Sequence, residues 1–246
     1  MRKQRIGIDT TDWVVYGHEA WIVTDKSRYE PGETVRAVLR WGHNMRPDGF
    51  CRTDEFRIFA EDEQGNREIL TPVKGEGDYY DFSFVPKHEG VYTIISVYDN
   101  TYGRDENDEY FEGTRQELPD ILEVINYLQI YTVNISVGVE GGSVPYIDGS
   151  RANFVPVNWE SDIQGVLKLR LVKDRIPVSM ASVTVVHYDG TDYFERMLVT
   201  DKNGEVFFDV SRPGIYFPIY RTGFNEPMEG YYDSKEVTVS YTYLKR

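Results

Sequence analysis

The sequence predicts an all-β protein of two antiparallel β-sandwich units with one short helix between them. Three observations predict it. Tyr (19) and Phe (12) are abundant, and aromatic and β-branched residues recur in alternation, the pattern of half-buried strands. Turn-forming Gly, Pro, Asn and Asp punctuate these runs at the spacing of short antiparallel strands. Finally, 246 residues can bury one large core or two small ones.

Residues 20–24 (AWIVT) alternate and meet a turn at Glu30-Pro31-Gly32, where Pro fixes φ and Gly accepts the positive φ of a type II turn. Residues 34–41 (TVRAVLRW) resume the alternation, so a hairpin is expected. Residues 56–61 and 66–70 flank Gln64-Gly65, residues 79–85 (YYDFSFV) alternate up to Pro86, and residues 91–98 (VYTIISVY) read as a well-buried strand. These complete a first, immunoglobulin-like sandwich over 18–139, preceded by an N-terminal extension at 1–17.

Inside that unit, residues 99–120 are rich in acids and read as a loop. Leu118-Pro119-Asp120 then reads as a helix start, with Pro near N1 and an acid in the first turn. Ile121, Leu122, Ile125 and Leu128 form an apolar stripe, so the short helix is expected over 119–128. Residues 131–139 return to strand spacing and 140–152 read as a linker. The second unit, 153–246, holds strands near 165–172, 182–187, 195–200, 206–210, 214–220 and 236–243, with Lys202-Asn203-Gly204 as a hairpin turn.

Charge excludes some functions. With 27 Lys+Arg against 41 Asp+Glu, the formal charge of −14 repels nucleic acid and anionic lipid. No segment has the roughly twenty apolar residues of a membrane-spanning helix, so no direct membrane insertion is expected. MRKQR resembles the charged start of a signal peptide, yet Asp9 and Asp12 interrupt the stretch where its apolar region belongs. The residues leave open a cytoplasmic protein or an exported one whose leader has been removed. Cys51 is the single cysteine, so no internal disulfide forms.

The stretch 17–44 carries the strongest functional signal. It holds His18 and His43, two of four histidines, at the two ends of the expected hairpin. With Glu19, Asp48 or Met45 nearby, two imidazoles suit a divalent transition metal; equally, each imidazole can bond backbone groups at a strand end. His88 and His187 lie at expected turns and read as structural. The acidic residues 104–112 resemble a calcium loop but carry Tyr110 where the tight-turn Gly belongs and Gln116 at the bidentate position. No nucleophile elbow, phosphate loop or dinucleotide fingerprint is present, so an enzyme is not expected.

Ile176-Pro177-Val178-Ser179-Met180-Ala181-Ser182-Val183, then Thr200-Asp201-Lys202-Asn203-Gly204-Glu205, then Pro213-Gly214-Ile215-Tyr216 resemble a transthyretin-like module of the carboxypeptidase-regulatory-like or Cna-B-like kind. With GHEAW at 17–21, WGHN at 41–44 and Phe154-Val155-Pro156-Val157, residues 17–243 resemble an uncharacterised bacterial family of exported proteins. That family was formerly described as an additional periplasmic component of nickel or cobalt ABC-type uptake. His18 and Gly42-His43 match its two histidine positions; the chain departs in having sixteen residues before Gly17.

The resemblance implies a periplasmic or otherwise extracytoplasmic, non-enzymatic binding protein. Its ligand would be a nickel or cobalt ion or a small ligand, held by His18, His43, Glu19 and Asp48, and its partners membrane transporter subunits. Two other readings stay open: a structural or interaction module contacting protein or glycan, with an aromatic patch among Tyr102, Tyr110, Phe111, Tyr231 and Tyr232, and a glycan-acting hydrolase.

Overall fold

The computed structural model describes residues 19–43, 45–47, 56–77, 79–144, 146–147, 151–158 and 165–246. The first half contains β1 (Glu19–Thr24), β2 (Arg28–Tyr29), β3 (Val35–His43), β4 (Arg46–Pro47), β5 (Phe56–Asp62), β6 (Arg67–Leu70), β7 (Val73–Lys74), β8 (Tyr79–Phe84), β9 (Gly90–Arg104), β10 (Tyr110–Glu112) and β11 (Glu123–Val137). The second contains β12 (Ala152–Pro156), β13 (Val166–Lys173), β14 (Ile176–Pro177), β15 (Ser182–Tyr188), β16 (Tyr193–Val199), β17 (Glu205–Asp209), β18 (Gly214–Phe224), β19 (Ser234–Tyr241) and β20 (Tyr243–Lys245). The all-β class is as expected.

Among the described residues the strands form three sheets. The largest, of eleven strands, runs β16-β15-β18-β19-β11-β9-β5-β6 and therefore crosses both halves of the chain. A five-stranded sheet, β1-β3-β8-β7 with β4, belongs to the first half, and a four-stranded sheet, β12-β13-β14 with β17, to the second. Alternation along the large sheet shows how they stack. Ile94, Tyr131, Val133, Ile135, Val186, Phe217 and Ile219 join a core with Trp21, Leu39 and Phe82 of the five-stranded sheet. Their chain neighbours of opposite parity, Ile95, Leu128, Ile130, Val185 and Tyr216, join a second core with Phe154, Leu167, Leu169 and Phe208 of the four-stranded sheet. Side chains alternate across a strand, so the large sheet is a middle layer with both faces covered. The two expected sandwiches are two layer pairs that share it.

Burial on both faces explains why residues 131–137 are buried without a break. It also strands polar groups inside. Asn134 Nδ2 donates to Thr93 Oγ1 at 2.7 Å and Thr132 Oγ1 to the Ser240 carbonyl at 2.9 Å. The junction between halves is the parallel pairing of β11 with β19, from Ile125 opposite Ser234 to Thr132 opposite Tyr241.

The helix expected over 119–128 is not formed. Residues 119–120 make a turn, and β11 begins at Glu123. Arg115 Nη1 donates to the carbonyls of Leu118 (3.3 Å) and Ile121 (2.9 Å), tying the Pro119 segment into a compact turn. Beyond it, EVINYLQIYTVNISV is one alternating run whose every residue has a register partner on β9, and that ladder outweighs the weak stripe Ile121, Ile125, Leu128. For the same reason the expected acidic loop is shorter: residues 99–104 belong to β9. Asp105 Oδ1 accepts the backbone N–H groups of Asn107 and Glu109 (2.9 and 2.8 Å), which makes it a turn-forming residue.

Expected turns are present. Gly32 has φ +83° with Glu33 N–H donating to the Glu30 carbonyl at 3.0 Å. Asp201 Oδ1 accepts the N–H groups of Asn203 (2.8 Å) and Glu205 (2.9 Å) around the Lys202-Asn203-Gly204 turn.

Candidate functional site

β1 and β3 pair antiparallel, with Glu19 opposite Gly42 and Trp21 opposite Arg40. His18 directly precedes Glu19 in the chain and His43 directly follows Gly42. His43 is half-buried at the end of β3, on the same face as Trp41. His18 and Asp48 lie outside the described residues. Met45, fully buried at φ +59°, forms the turn into β4.

Beneath this end of the hairpin, register aligns a row on the middle sheet: Arg221 on β18, Thr238 on β19, Gln129 on β11, Tyr98 on β9 and Phe56 on β5. Its aromatic side packs under Trp41, whose ring centroid is 5.3 Å from both Phe56 and Tyr98. Tyr98 and Tyr102 share a hydroxyl–hydroxyl bond of 2.6 Å, and Tyr131 donates to Gln129 Oε1 at 2.6 Å.

Its polar side carries the charge. Glu19 is wholly buried, and Arg221 Nη2 donates to its Oε1 at 2.5 Å. Burial pushes the Glu19 carboxyl up to about 8, outweighing the downward pull of Arg221. Burial also raises Glu236, again against Arg221. Two carboxyl groups thus depend on one guanidinium. Glu19 Oε2, Trp21 Nε1, Thr238 Oγ1 and Ser240 Oγ are buried with no hydrogen-bond partner. Buried polar atoms are nearly always paired, so a cluster of orphans calls for an explanation.

The structure brings Glu19 and His43 to one end of the hairpin, but among the described residues no three His, Cys, Asp or Glu side chains converge. Arg221 and Glu236 escaped the sequence reading: Arg221 lies 202 residues from Glu19 and is simply one cation in a strand. Its setting in GIYFPIYRTGF, a largely apolar strand, does not by itself set it apart. The expected aromatic patch is only partly exposed: Tyr102, Tyr110, Phe111 and Tyr232 are half-buried, and of the five Tyr231 alone is largely exposed. His88 uses its backbone, its N–H donating to Tyr92 Oη at 3.0 Å. An open 720 Å³ cleft lined by Val38, Glu68, Ile69 and Asp81 also borders Thr24 and Ala37, the far end of the β1–β3 ladder from Glu19.

The solved structures that resemble the chain are distant from it in sequence. A DUF4785 family protein from Legionella pneumophila is 10% identical, with 81% of this chain and 51% of that one covered and a TM-score of 0.32. A tetra-tandem repeat from the extending region of a large adhesion protein is 10% identical over 92% of this chain and 49% of its own, at a TM-score of 0.29. A two-domain fibronectin type III segment of chicken tenascin is 12% identical over 91% and 97%, at 0.24. The chain thus spans about half the length of the first two. No curated protein matches it in sequence. The model of one family, described as a domain of unknown function (DUF4198), matches residues 15–218, and the chain belongs to that family.

Proposed function

We propose that this protein is a non-enzymatic, extracytoplasmic binding protein that takes a divalent transition metal, nickel or cobalt, at the His18–His43 end of the β1–β3 hairpin. The observation that carries it is the Glu19 Oε2 atom, fully buried and unpartnered at the hairpin end where Glu19 lies opposite Gly42 and His43 closes β3. Imidazole nitrogen with carboxylate oxygen is the donor set that such ions prefer. In this reading His18, His43 and Glu19 Oε2 bind the ion, Asp48 completes the set, and Arg221 holds Glu19 Oε1 so that the other oxygen stays aimed. A ligating carboxylate that is itself hydrogen-bonded is the usual outer-shell arrangement. The metal displaces the proton that burial keeps on Glu19, so affinity rises with pH until about 8. A transporter subunit is the partner this role calls for, and the second half, read as a transthyretin-like module, offers its outer loops for that contact.

Calorimetric titration with nickel and cobalt chlorides tests the proposal. A single site is expected in the wild type, weakened at least tenfold by His43→Ala or His18→Ala and by Glu19→Gln, with one proton released per ion near pH 7. Unchanged heats in the double histidine variant would sink it.

A further inference from the structure

We infer that the outer edge of β16 is a binding platform for neutral pyranose polysaccharides, centred on Phe194. Register aligns four rings on one face of the middle sheet: Phe194 on β16, His187 on β15, Tyr216 on β18 and Tyr243 on β20. Three of them stack nearly parallel: His187 lies 4.3 Å from Tyr216 at 15° between planes, and 6.3 Å from Phe194 at 21°. The inner end of the row is core, since Tyr216 and Tyr243 are buried and Phe208 of the four-stranded sheet packs on Tyr216 at 6.2 Å. The outer end is not. β16 is the last strand of its sheet, and Phe194 is 53% exposed.

The platform is fixed in place. His187 Nε2 donates to the Pro213 carbonyl at 3.0 Å, which sets the imidazole plane against Tyr216. Gly214 makes room for it: its φ is +134°, and a Cβ there would lie 2.7 Å from His187 Nε2 and 2.6 Å from the Tyr188 carbonyl oxygen. The β15–β16 turn is tied by Asp189 Oδ1, which accepts the N–H groups of Thr191 and Asp192 at 2.9 Å each. With His187 fixed, Phe194 stacks on a set surface, which lowers the ordering cost of presenting its outer face.

What flanks the ring selects the ligand. Arg196 stands two residues on, on the same face as Phe194, and Asp192 lies in the turn just before β16; both are exposed. A flat apolar face between a guanidinium and a carboxylate matches a pyranose, whose C–H face stacks on the ring while its equatorial hydroxyls both donate and accept. The formal charge of −14 argues against phosphate-bearing or uronic ligands. Strand addition is disfavoured because Glu195 and Arg196 put a charge on each face at mid-strand, a common protection of sheet edges. This platform is separate from the Glu19 site and stands whether or not a metal binds.

The test is native affinity electrophoresis of the full chain in EDTA, through gels holding hydroxyethylcellulose, xylan or galactomannan, with ovalbumin as mobility reference. At least one polymer is expected to retard the wild type, Phe194→Ala and Arg196→Ala to weaken the interaction tenfold or more, and Phe207→Ala, which removes a ring 59% exposed on another sheet, to leave it unchanged. Thermal melts within a few degrees of wild type confirm that the variants fold; if Phe194→Ala does not, Arg196→Ala alone decides. The inference is overturned if no polymer retards the wild type, if the variants bind like wild type, or if Phe207→Ala weakens binding equally. A change in oligomeric state on Phe194→Ala without any retardation of the wild type also overturns it, and points to a strand partner.

Discussion

Replacing Arg221 with methionine is expected to destabilise the metal-free protein by roughly 3–5 kcal/mol at pH 9, the cost of leaving a buried charge without its partner, and by much less at pH 6. At the lower pH Glu19, whose carboxyl is pushed up to about 8, is already protonated, and the variant loses only a hydrogen bond of about 1–2 kcal/mol. The sign follows from linkage. The carboxyl titrates near 4.5 when unfolded and near 8 when folded, so the folded chain holds the proton more tightly. Its contribution is complete below the unfolded value and is lost as pH climbs to about 8, an interval worth on the order of 5 kcal/mol. Glu236, raised by burial, acts in the same direction.

Glu19→Gln is expected to keep the contact with Arg221, flatten the dependence, and exceed wild type in stability above pH 8. At more acidic pH the trend reverses, since Glu205, held below the ordinary glutamate range by Lys168 and Arg170, must then take up a proton. Urea unfolding in EDTA between pH 5 and 9 reads this directly. A wild-type stability that rises across that window would contradict the assignment.

The second large effect concerns cooperativity. A chain cut to residues 18–139 is expected not to fold, although it contains every strand of the first half, β1 to β11. Removing β19 strips β11 of the eight register partners from Ser234 to Tyr241. Removing the four-stranded sheet also exposes Ile95, Leu128 and Ile130, at about 25 cal/mol per Å² of apolar surface returned to water. The intact chain should therefore melt in one calorimetric transition, with calorimetric and van't Hoff enthalpies equal. A monomeric fragment with a sharp melt, or two resolved endotherms from the whole chain, would refute this.

Local chemistry was legible in the sequence. The Pro31-Gly32 turn, the β1–β3 hairpin and the Asp201–Gly204 turn depend on residues within a few positions of one another, and each formed where expected. Residues 119–128 misled because Ile121, Leu122, Ile125 and Leu128 carry a helical spacing over one short window, while the fifteen-residue ladder with β9 is visible only from the partner strand. The charge pair was illegible for the same reason. Nothing near Glu19 names Arg221, and nothing in GIYFPIYRTGF says that its arginine points inward. His43 was placed at a strand end by pattern alone; its neighbourhood came from the middle layer.

The parallel pairing of β11 with β19 also sets an order of events. Ile125 waits for Ser234, 109 residues further on, so the central strand, though made at mid-chain, acquires its last neighbour only when synthesis is nearly over. Closing so long a loop is entropically costly and slows the search for the native topology. Until then β11 offers an open, apolar edge. A chain of this design passes through a vulnerable interval between emergence and completion, and its survival depends on what shields that edge before the final strand arrives.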